Sequence, residues 1–349
     1  MIKLLSHLLH VRLAAADVAA SVAFYRQRLG MHEAHRDASA VYLRTSDDYY
    51  LYSLVIERGP EPALVSMAWR TVSDASLTEA AHRVEAAGVQ GRWHERSFGH
   101  GRSFSFTGPW GHTMELFSQG NKFHAPEPLP ETDSDADADS APATPSPAIE
   151  VRQLDHVSVA APDVSAFLAW HEDVLGLQVQ QRTVLDQERT TVFAVLGTTD
   201  TAHDLGVLLD SSDRPGRMNH MAYRVDTRAE LFRAAPALDS VGVRIEHGPS
   251  THLEFGASMH AIGEQNYLYL RDPSGMRVEI NTGGFLRAVP DATPAFWRPG
   301  PGLYYRNARM PLSMTESFPP DAAPSATEEG LVFGTEARLI TPAIARHTR

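Results

Sequence analysis

Three residues that can bind a metal ion lie in strand-like runs in the second half of this 349-residue chain. His156 lies in LDHVSV, His220 in NHMAYRV and Glu279 in MRVEIN. Side chains alternate along a strand, so each of these residues points away from a row of apolar neighbours. If helices cover the apolar rows, the three side chains converge on the opposite face of one sheet. Two histidines and one carboxylate that converge in this way are typical of non-haem Fe(II) sites that handle O₂.

The elements that must position these residues occur twice in the chain. Residues 8–30 align with residues 154–176, so that His10 corresponds to His156. Further on, SMAWRTV matches HMAYRVD, and GPWGHTMELF matches DPSGMRVEIN. The spacing between matched positions grows along the chain, which indicates loop insertions in the second copy. Repetition of this kind indicates duplicated modules.

In each copy, a strand-like run is followed by a helix with signals at both ends. Asp163 is placed to cap the start of the helix in the second copy and Gly176 its end, and Asp17 and Gly30 repeat the arrangement. More strand-like runs follow, with a second helical stretch from about Arg228. The pattern βαβββ therefore occurs twice in each half. It predicts an α+β fold of tandem βαβββ modules in two domains, each with a cupped mixed sheet and outer helices.

The composition changes sharply in the middle of the chain. Residues 121–150 contain seven carboxylates, one lysine and six prolines. Such a segment cannot bury enough apolar surface to offset its ordering entropy. We predict an N-terminal domain over residues 1–120, an acidic linker over 121–150, a C-terminal metal-binding domain over 151–300 and a partly disordered arm over 301–349.

The overall charge and the residue types exclude several classes of function. The formal net charge of −12 argues against binding of nucleic acid or of anionic membranes. The absence of cysteine excludes disulfides, thiolate metal sites and a cysteine nucleophile. No apolar run approaches the roughly 18 residues that span a bilayer. The composition therefore predicts a soluble, cytoplasmic protein.

The runs LDHVSV, NHMAYRV and YLYLRDPSGMRVEI resemble the metal-binding strands of type I extradiol ring-cleavage dioxygenases. These are the catechol 2,3-dioxygenase-like enzymes of the vicinal oxygen chelate superfamily, and the resemblance covers about residues 5–120 and 150–300. It implies that His156, His220 and Glu279 bind Fe(II), or Mn(II), since the same ligands serve both ions. It also implies cleavage of a catechol-type substrate by O₂ to a muconic semialdehyde-type product, in a homo-oligomer that is commonly a tetramer.

The same resemblance implies acid–base and substrate-binding residues. His203 resembles a histidine that lies beside bound O₂, and an imidazole can both give and take protons near neutral pH. His260 and Tyr269 resemble the histidine and tyrosine that bind the catechol oxygens, and His252 is a weaker candidate for the role of His260. From the residues alone, His203 could lie on the surface and Tyr269 could be a core aromatic.

The first half of the chain departs from this pattern. His10 and Glu115 occupy two of the ligand positions, but Ser66 replaces the middle histidine and Ser105 replaces Tyr269. A serine hydroxyl is a poor replacement for an imidazole ligand. We therefore predict one metal site, in the second half, with His10 and Glu115 paired with each other or with solvent.

Two alternatives remain open. A glyoxalase-like isomerase or an epimerase on the same scaffold usually assembles its ligands across two modules, whereas the complete set here lies in one half. A non-catalytic, small-molecule-binding relative would not need the three ligands together with His203, His260 and Tyr269. Metal analysis separates these readings, because about one iron per chain supports the dioxygenase and none supports the binding protein.

Overall fold

The computed structural model describes residues 3–124, 147–184, 190–198, 203–249, 265–284, 293–297, 309–310, 312–321 and 331–332. Within these ranges the chain forms two large mixed sheets, one in each half. None of the helices described is both long and apolar enough to cross a membrane. The predictions for His252 and His260, and for most of the acidic linker, lie outside the described residues.

The first sheet has eight described strands and carries two helices. The strands are β1 (Leu5–Ala15), β2 (His32–Arg36), β3 (Ala40–Arg44), β4 (Leu54–Arg58), β5 (Ala63–Thr71), β6 (Gly91–His94), β7 (Ser103–Thr107) and β8 (Thr113–Phe117). The helices are α1 (Val18–Gln27) and α2 (Asp74–Ala86). The strand order is β2-β3-β4-β1-β5-β8-β7-β6. The two central strands, β1 and β5, are antiparallel to each other, and each is parallel to its other neighbour, β4 or β8.

The second sheet repeats this topology and adds a strand at one edge. Its strands are β9 (Gln153–Ala161), β10 (Gln178–Val184), β11 (Thr191–Gly197), β12 (Leu205–Leu209), β13 (Met218–Arg224), β14 (Ile245–His247), β15 (Gln265–Arg271), β16 (Arg277–Gly283) and β17 (Ala295–Trp297). Its helices are α3 (Val164–Leu175) and α4 (Arg228–Ser240). The strand order is β14-β15-β16-β13-β9-β12-β11-β10-β17. A 3₁₀ helix (Leu312–Thr315) and a two-stranded pair, β18 (Arg309–Met310) with β19 (Leu331–Val332), complete the described elements.

The order of elements confirms the α+β fold of tandem βαβββ modules. The predicted caps of α3 are present: the Asp163 side chain accepts a hydrogen bond from the backbone of Ala166, and Gly176 has a φ of 72°. Helix α1 ends earlier than the pattern suggests, with Arg28 as its C-cap and Gly30 two residues beyond. Strand β10 was not recognised in the sequence, because its run QVQQRTV buries polar side chains instead of an apolar row.

The apolar rows and the helices share one continuous core that includes residues of both halves. Val157, Met221 and Val278, each next to a predicted ligand, are fully buried in it. Contacts also tie the halves together, such as the hydrogen bond from the Tyr25 hydroxyl to the carboxylate of Asp272. Because the core lies on this side of the sheets, the alternate side chains of the central strands point to the opposite face.

Candidate metal centre

His156, His220 and Glu279 meet on the face of the second sheet opposite its core. They lie on three neighbouring strands, β9, β13 and β16, and one ligand atom of each lies within 4.8 Å of the others. Glu279 Oε2 is 3.0 Å from His220 Nε2 and 3.4 Å from His156 Nε2. The two Nε2 atoms are 3.1 Å apart. All three side chains are buried, so the structure brings together the residues that the strand pattern predicts as ligands.

Two bulges in the pairing of β9 with β13 bring a polar residue to each histidine. The register shifts leave Asp155 and Asn219 without a strand partner, and each stands immediately before a histidine of the site. A bulge breaks the alternation of side chains and re-aims them. As a result, Asp155 Oδ2 lies 2.7 Å from His156 Nδ1, and Asn219 Oδ1 lies 2.8 Å from His220 Nδ1.

Asp155 is the centre of a hydrogen-bond network behind His156. Its Oδ2 atom also accepts hydrogen bonds from Gln265 at 3.2 Å and from Asn281 at 2.9 Å. Burial alone would raise the pKa of Asp155, but the hydrogen bond and charge of His156 lead a net decrease. An ionised carboxylate only accepts hydrogen bonds, so Nδ1 of His156 must donate and Nε2 is directed toward Glu279.

The charges of the site favour a cation. Burial would raise the pKa of Glu279, but the adjacent imidazoles of His156 and His220 hold this pKa well below its usual range. Burial lowers the pKa of His220 to about 4. Burial also opposes protonation of His156, yet Asp155 and Glu279 outweigh it and raise its pKa to about 9. Without a metal, these carboxylates therefore attract a proton to the place where the three ligand atoms meet.

The donor set fits a divalent transition-metal ion. Two imidazole nitrogens and a carboxylate oxygen are the ligands of non-haem Fe(II) sites, and Mn(II) accepts the same set. Glu279 Oε1 is buried and has no hydrogen-bond partner among the described residues, which leaves it available to a bound ion. The polar groups behind both histidines are of the kind that orient metal-bound imidazoles. Asp155 and Asn219 were not identified from the sequence. The signal that could have indicated them is that a polar residue directly precedes each of the two histidine ligands.

His203 lies inside the site and not on the surface. It lies two residues before β12, is 7% exposed, and its ring centroid is 4.0 Å from that of His156. Burial and then the charge of His156 lower its pKa well below the usual value. Its Nδ1 atom has no hydrogen-bond partner within the described part of the chain. The structure therefore places a neutral imidazole beside the candidate metal centre.

Tyr269 lies on the other side of the site, on β15. It is paired in register with Glu279, and its ring is 5.2 Å from that of His220. It also packs with Tyr267 and Met314 in a small apolar cluster. Its partner in the sequence-based prediction, His260, falls outside the described residues.

The corresponding place in the first half has different contacts. Glu115 accepts a hydrogen bond from Ser103 at 2.7 Å and lies 3.5 Å from His100. His10 packs against Tyr52 with the two rings tilted and their centroids 4.8 Å apart. Glu115 therefore pairs with Ser103 and His100, where the sequence suggested His10 or solvent. In the described residues, the only cluster of ligand-type side chains close enough to hold a metal is the one in the second half.

Comparison with known proteins places this architecture in a family. The model of the Glyoxalase/Bleomycin resistance protein/Dioxygenase superfamily matches residues 7–116 and 153–280. A manganese-dependent 2,3-dihydroxybiphenyl 1,2-dioxygenase of Geobacillus genomosp. 3 is 28% identical over 83% of this chain and 89% of the relative. A metapyrocatechase of Geobacillus stearothermophilus is 25% identical, with coverages of 88% and 91%.

Solved structures show the same fold. Homoprotocatechuate 2,3-dioxygenase from Arthrobacter globiformis matches with a TM-score of 0.76 at 24% identity, covering 90% of this chain and 92% of the other. The resemblance inferred from the sequence motifs is thereby confirmed. The repeated modules and the family match lead to one conclusion: this chain belongs to the Glyoxalase/Bleomycin resistance protein/Dioxygenase superfamily.

Proposed function

We propose that this protein is an extradiol dioxygenase that opens the ring of a catechol-type substrate with O₂. The observation that carries the proposal is the meeting of His156 Nε2, His220 Nε2 and a Glu279 oxygen in one buried place. Hydrogen bonds from both Nδ1 atoms direct these ligand atoms inward. The names of the relatives support the reaction class, since they are dioxygenases of dihydroxylated rings.

We propose that His156, His220 and Glu279 hold Fe(II), with Mn(II) as the alternative that the name of one relative specifies. The bound ion would supply the Lewis acidity that favours loss of a catechol proton and the redox activity that O₂ chemistry requires. The protein contributes three ligands and a buried site. Three protein ligands leave open positions on the ion for small molecules.

His203 is the proposed acid–base residue. A neutral imidazole beside His156 can accept a proton from the substrate and return it later in the reaction. Burial keeps it neutral, since burial is the main cause of its lowered pKa. Its Nδ1, which has no partner in the described part of the protein, is available for a hydrogen bond to a reacting oxygen.

Tyr269 and His260 are the proposed substrate-binding residues. Tyr269 is 3% exposed and lies with its ring against His220 and Tyr267. A phenol at this place can orient a catechol by hydrogen bonding and ring contact. The assignment of His260 rests on the motif resemblance alone.

We also propose that residues 121–150 link two domains. The described ends of this stretch pack on the protein: Phe123 lies under the guanidinium of Arg44, and Ile149 is buried in the core. Replacing residues 126–147 with a brief Gly/Ser bridge should leave metal content and turnover largely intact, because the entropy of closing a connecting loop changes only slowly with its length. The composition favours a cytoplasmic protein, and the resemblance favours a homo-oligomer, a tetramer by analogy. Light scattering measures the oligomeric state.

The experiment that tests the function is an aerobic assay of Fe(II)-loaded protein with a panel of catechols. We expect about one metal ion per chain and the yellow product of extradiol cleavage with at least one catechol. Glu279→Gln is the control, since it should abolish both metal retention and product. Protein that binds no metal, or that retains iron but cleaves no catechol while converting a glyoxalase-type substrate, would contradict the proposal.

A further inference from the structure

Residues 312–321 form a short segment that is fixed against β13, the strand of His220. Phe318 pairs with Met218 through two backbone hydrogen bonds, of 2.8 and 2.6 Å, and its side chain is buried in the main core. Arg217 donates to the backbone oxygen of Ser317 at 2.9 Å and to Asp321 at 3.0 Å. This segment, which we call the C-terminal clamp, is thus anchored at the two residues that directly precede the bulged Asn219.

The clamp determines which way the Asn219 amide points. Asn219 Nδ2 donates to the backbone oxygens of Met314 at 3.1 Å and of Glu316 at 2.8 Å. Carbonyl oxygens only accept hydrogen bonds, so the amide nitrogen must face the clamp. The amide oxygen is then the atom that faces His220 Nδ1, at 2.8 Å.

The orientation of the amide in turn determines the tautomer of His220. An amide oxygen only accepts, so His220 Nδ1 must carry the proton. Nε2 then carries no proton, and its lone pair is available to an ion held between it and Glu279 Oε2, which lies 3.0 Å away. We propose that the C-terminal clamp holds His220 in its metal-binding tautomer through Asn219, which makes Asn219 a positioning residue. The inference rests on the proposed function, in which His220 is a metal ligand.

A buried ion cluster holds the clamp at the required distance. Arg277 donates to the backbone oxygens of Asn219 at 3.0 Å and of Glu316 at 2.9 Å, and it also bonds that of Ser313. Glu246 accepts hydrogen bonds from Arg277 and from Arg271. Arg277 therefore ties the strand bearing Asn219 and the clamp to one rigid group, so that a shift of the clamp is transmitted to the amide.

His156 does not depend on the clamp in this way. Its Nδ1 donates to Asp155, whose ionised carboxylate offers only acceptors however it turns. The amide of Asn219 has one acceptor and one donor end, and it favours the correct tautomer only while the clamp occupies its donor end. This difference provides the matched control for the experiment.

The experiment is a double-mutant cycle on Mn(II) affinity. Phe318→Ala loosens the clamp, and Glu316→Ala is a milder variant that removes only the side-chain bond to Arg271. Asn219→Asp keeps an acceptor for His220 but makes it independent of the clamp. We expect Phe318→Ala to weaken Mn(II) binding by about 10-fold, which is the low end of the effect of residues that orient metal ligands. In a protein that already carries Asn219→Asp, adding Phe318→Ala should change Mn(II) affinity very little.

Asn219→Leu should weaken Mn(II) binding more, by about 10–100-fold, because no acceptor remains for His220 Nδ1. Leu231→Ala, a core truncation on α4 at a residue that is 1% exposed, controls for loss of stability and should leave the affinity of the folded protein unchanged. If clamp variants weaken Mn(II) equally in the wild-type and Asn219→Asp backgrounds, the clamp does not act through the Asn219 amide and the inference is overturned.

A second measurement separates this inference from the metal assignment itself. Imidazole ¹⁵N spectra of the metal-free protein report the tautomer of His220 directly. We expect the Nδ1–H form in the wild type and a mixture of forms after Glu316→Ala or Phe318→Ala. Wild-type protein that binds no Mn(II) would refute the proposed function, whereas an unchanged tautomer in both clamp variants would refute the clamp.

Discussion

The first and second halves of the chain place corresponding residues at the centre of their sheets. The positions of His10, Ser66 and Glu115 in the first sheet are those of His156, His220 and Glu279 in the second. The central strand pairs even carry bulges at equivalent places. The two halves therefore share a framework that can bring three side chains together, and the side chains decide what it does.

The residues at the bulges differ in chemistry. In the second half they are Asp155 and Asn219, each hydrogen-bonded to the Nδ1 of a histidine. In the first half the two equivalent bulges carry Leu9 and Val65, which have no polar side-chain group to offer. The first half therefore lacks a ligand at Ser66 and also lacks polar residues at the two equivalent bulges that could orient an imidazole.

The residues around the bulges also differ, with polar contacts in the second half and apolar contacts in the first. Asn281 donates to Asp155 in the second half, whereas Phe117 at the equivalent position packs with Leu9 and Ala68. Phe117 also stacks on His100, with ring centroids 4.3 Å apart. From this comparison we expect that a metal site on this framework requires both the ligands and the polar groups behind them. In the first half, apolar contacts occupy the place of those polar groups.

The largest effect is expected from a carboxylate ligand. Glu279→Gln keeps the size of the side chain but removes the charge that holds a divalent cation, so iron retention should fall by more than about 100-fold, beyond the loss typical of residues that only orient ligands. Glu115→Gln is the matched control and should change iron content little. Elemental analysis after loading and desalting measures both, and comparable losses would show that the halves share the metal.

The next effect is on rate and not on binding. His203→Gln should retain iron and catechol affinity, because His203 is not one of the three ligands. Removal of a general acid–base residue costs roughly 10²–10⁴-fold in rate, so kcat should fall while KM holds. Single-turnover and steady-state kinetics measure this. Turnover within a few-fold of the wild type would make His203 a bystander and leave His252 or His260 as candidates.

A smaller effect is expected from the network behind His156. Asp155→Asn offers a donor as well as an acceptor to Nδ1, so the histidine loses its fixed tautomer and metal affinity should fall by about 10–100-fold. Asp48→Asn changes a half-buried carboxylate of the first half that is bonded to Ser53; it is the control and should leave affinity unchanged. Titration with Mn(II) decides the matter, and equal affinities for wild type and Asp155→Asn would show that orientation contributes nothing.

The smallest effect is expected from restoring a ligand. Ser66→His completes the ligand set of the first half but leaves Leu9, Val65 and Phe117 behind it. Metal stoichiometry should therefore stay at one ion per chain. A second tightly bound equivalent in this variant would show that the three ligands suffice on this framework.

Part of the site could be predicted from the sequence, because alternation along strands is a local rule. It separates His156, His220 and Glu279 from their apolar neighbours without knowledge of the fold. The bulges at Asp155 and Asn219 break that rule. They arise from the pairing of two strands whose histidines, His156 and His220, are 64 residues apart in the sequence. No local pattern announces them.

Contacts between segments that are distant in the sequence could not be predicted either. The tail after Met310 contains proline and charge and suggests a loose arm, yet Phe318 is buried and Asn219 bonds two backbone oxygens of the same segment. Backbone groups carry no signature in a sequence, so such a contact cannot be anticipated. The pairing of Glu115 with Ser103 and His100 likewise depends on the packing of neighbouring strands.

Anomalous diffraction at the iron or manganese edge tests the central claim most directly, because it locates every bound ion without relying on activity. We predict one strong peak per chain, within bonding distance of His156 Nε2, His220 Nε2 and a Glu279 oxygen, and none near His10 and Glu115. A peak in the first half, or a peak in the second half that is not bound by these three residues, would contradict the account.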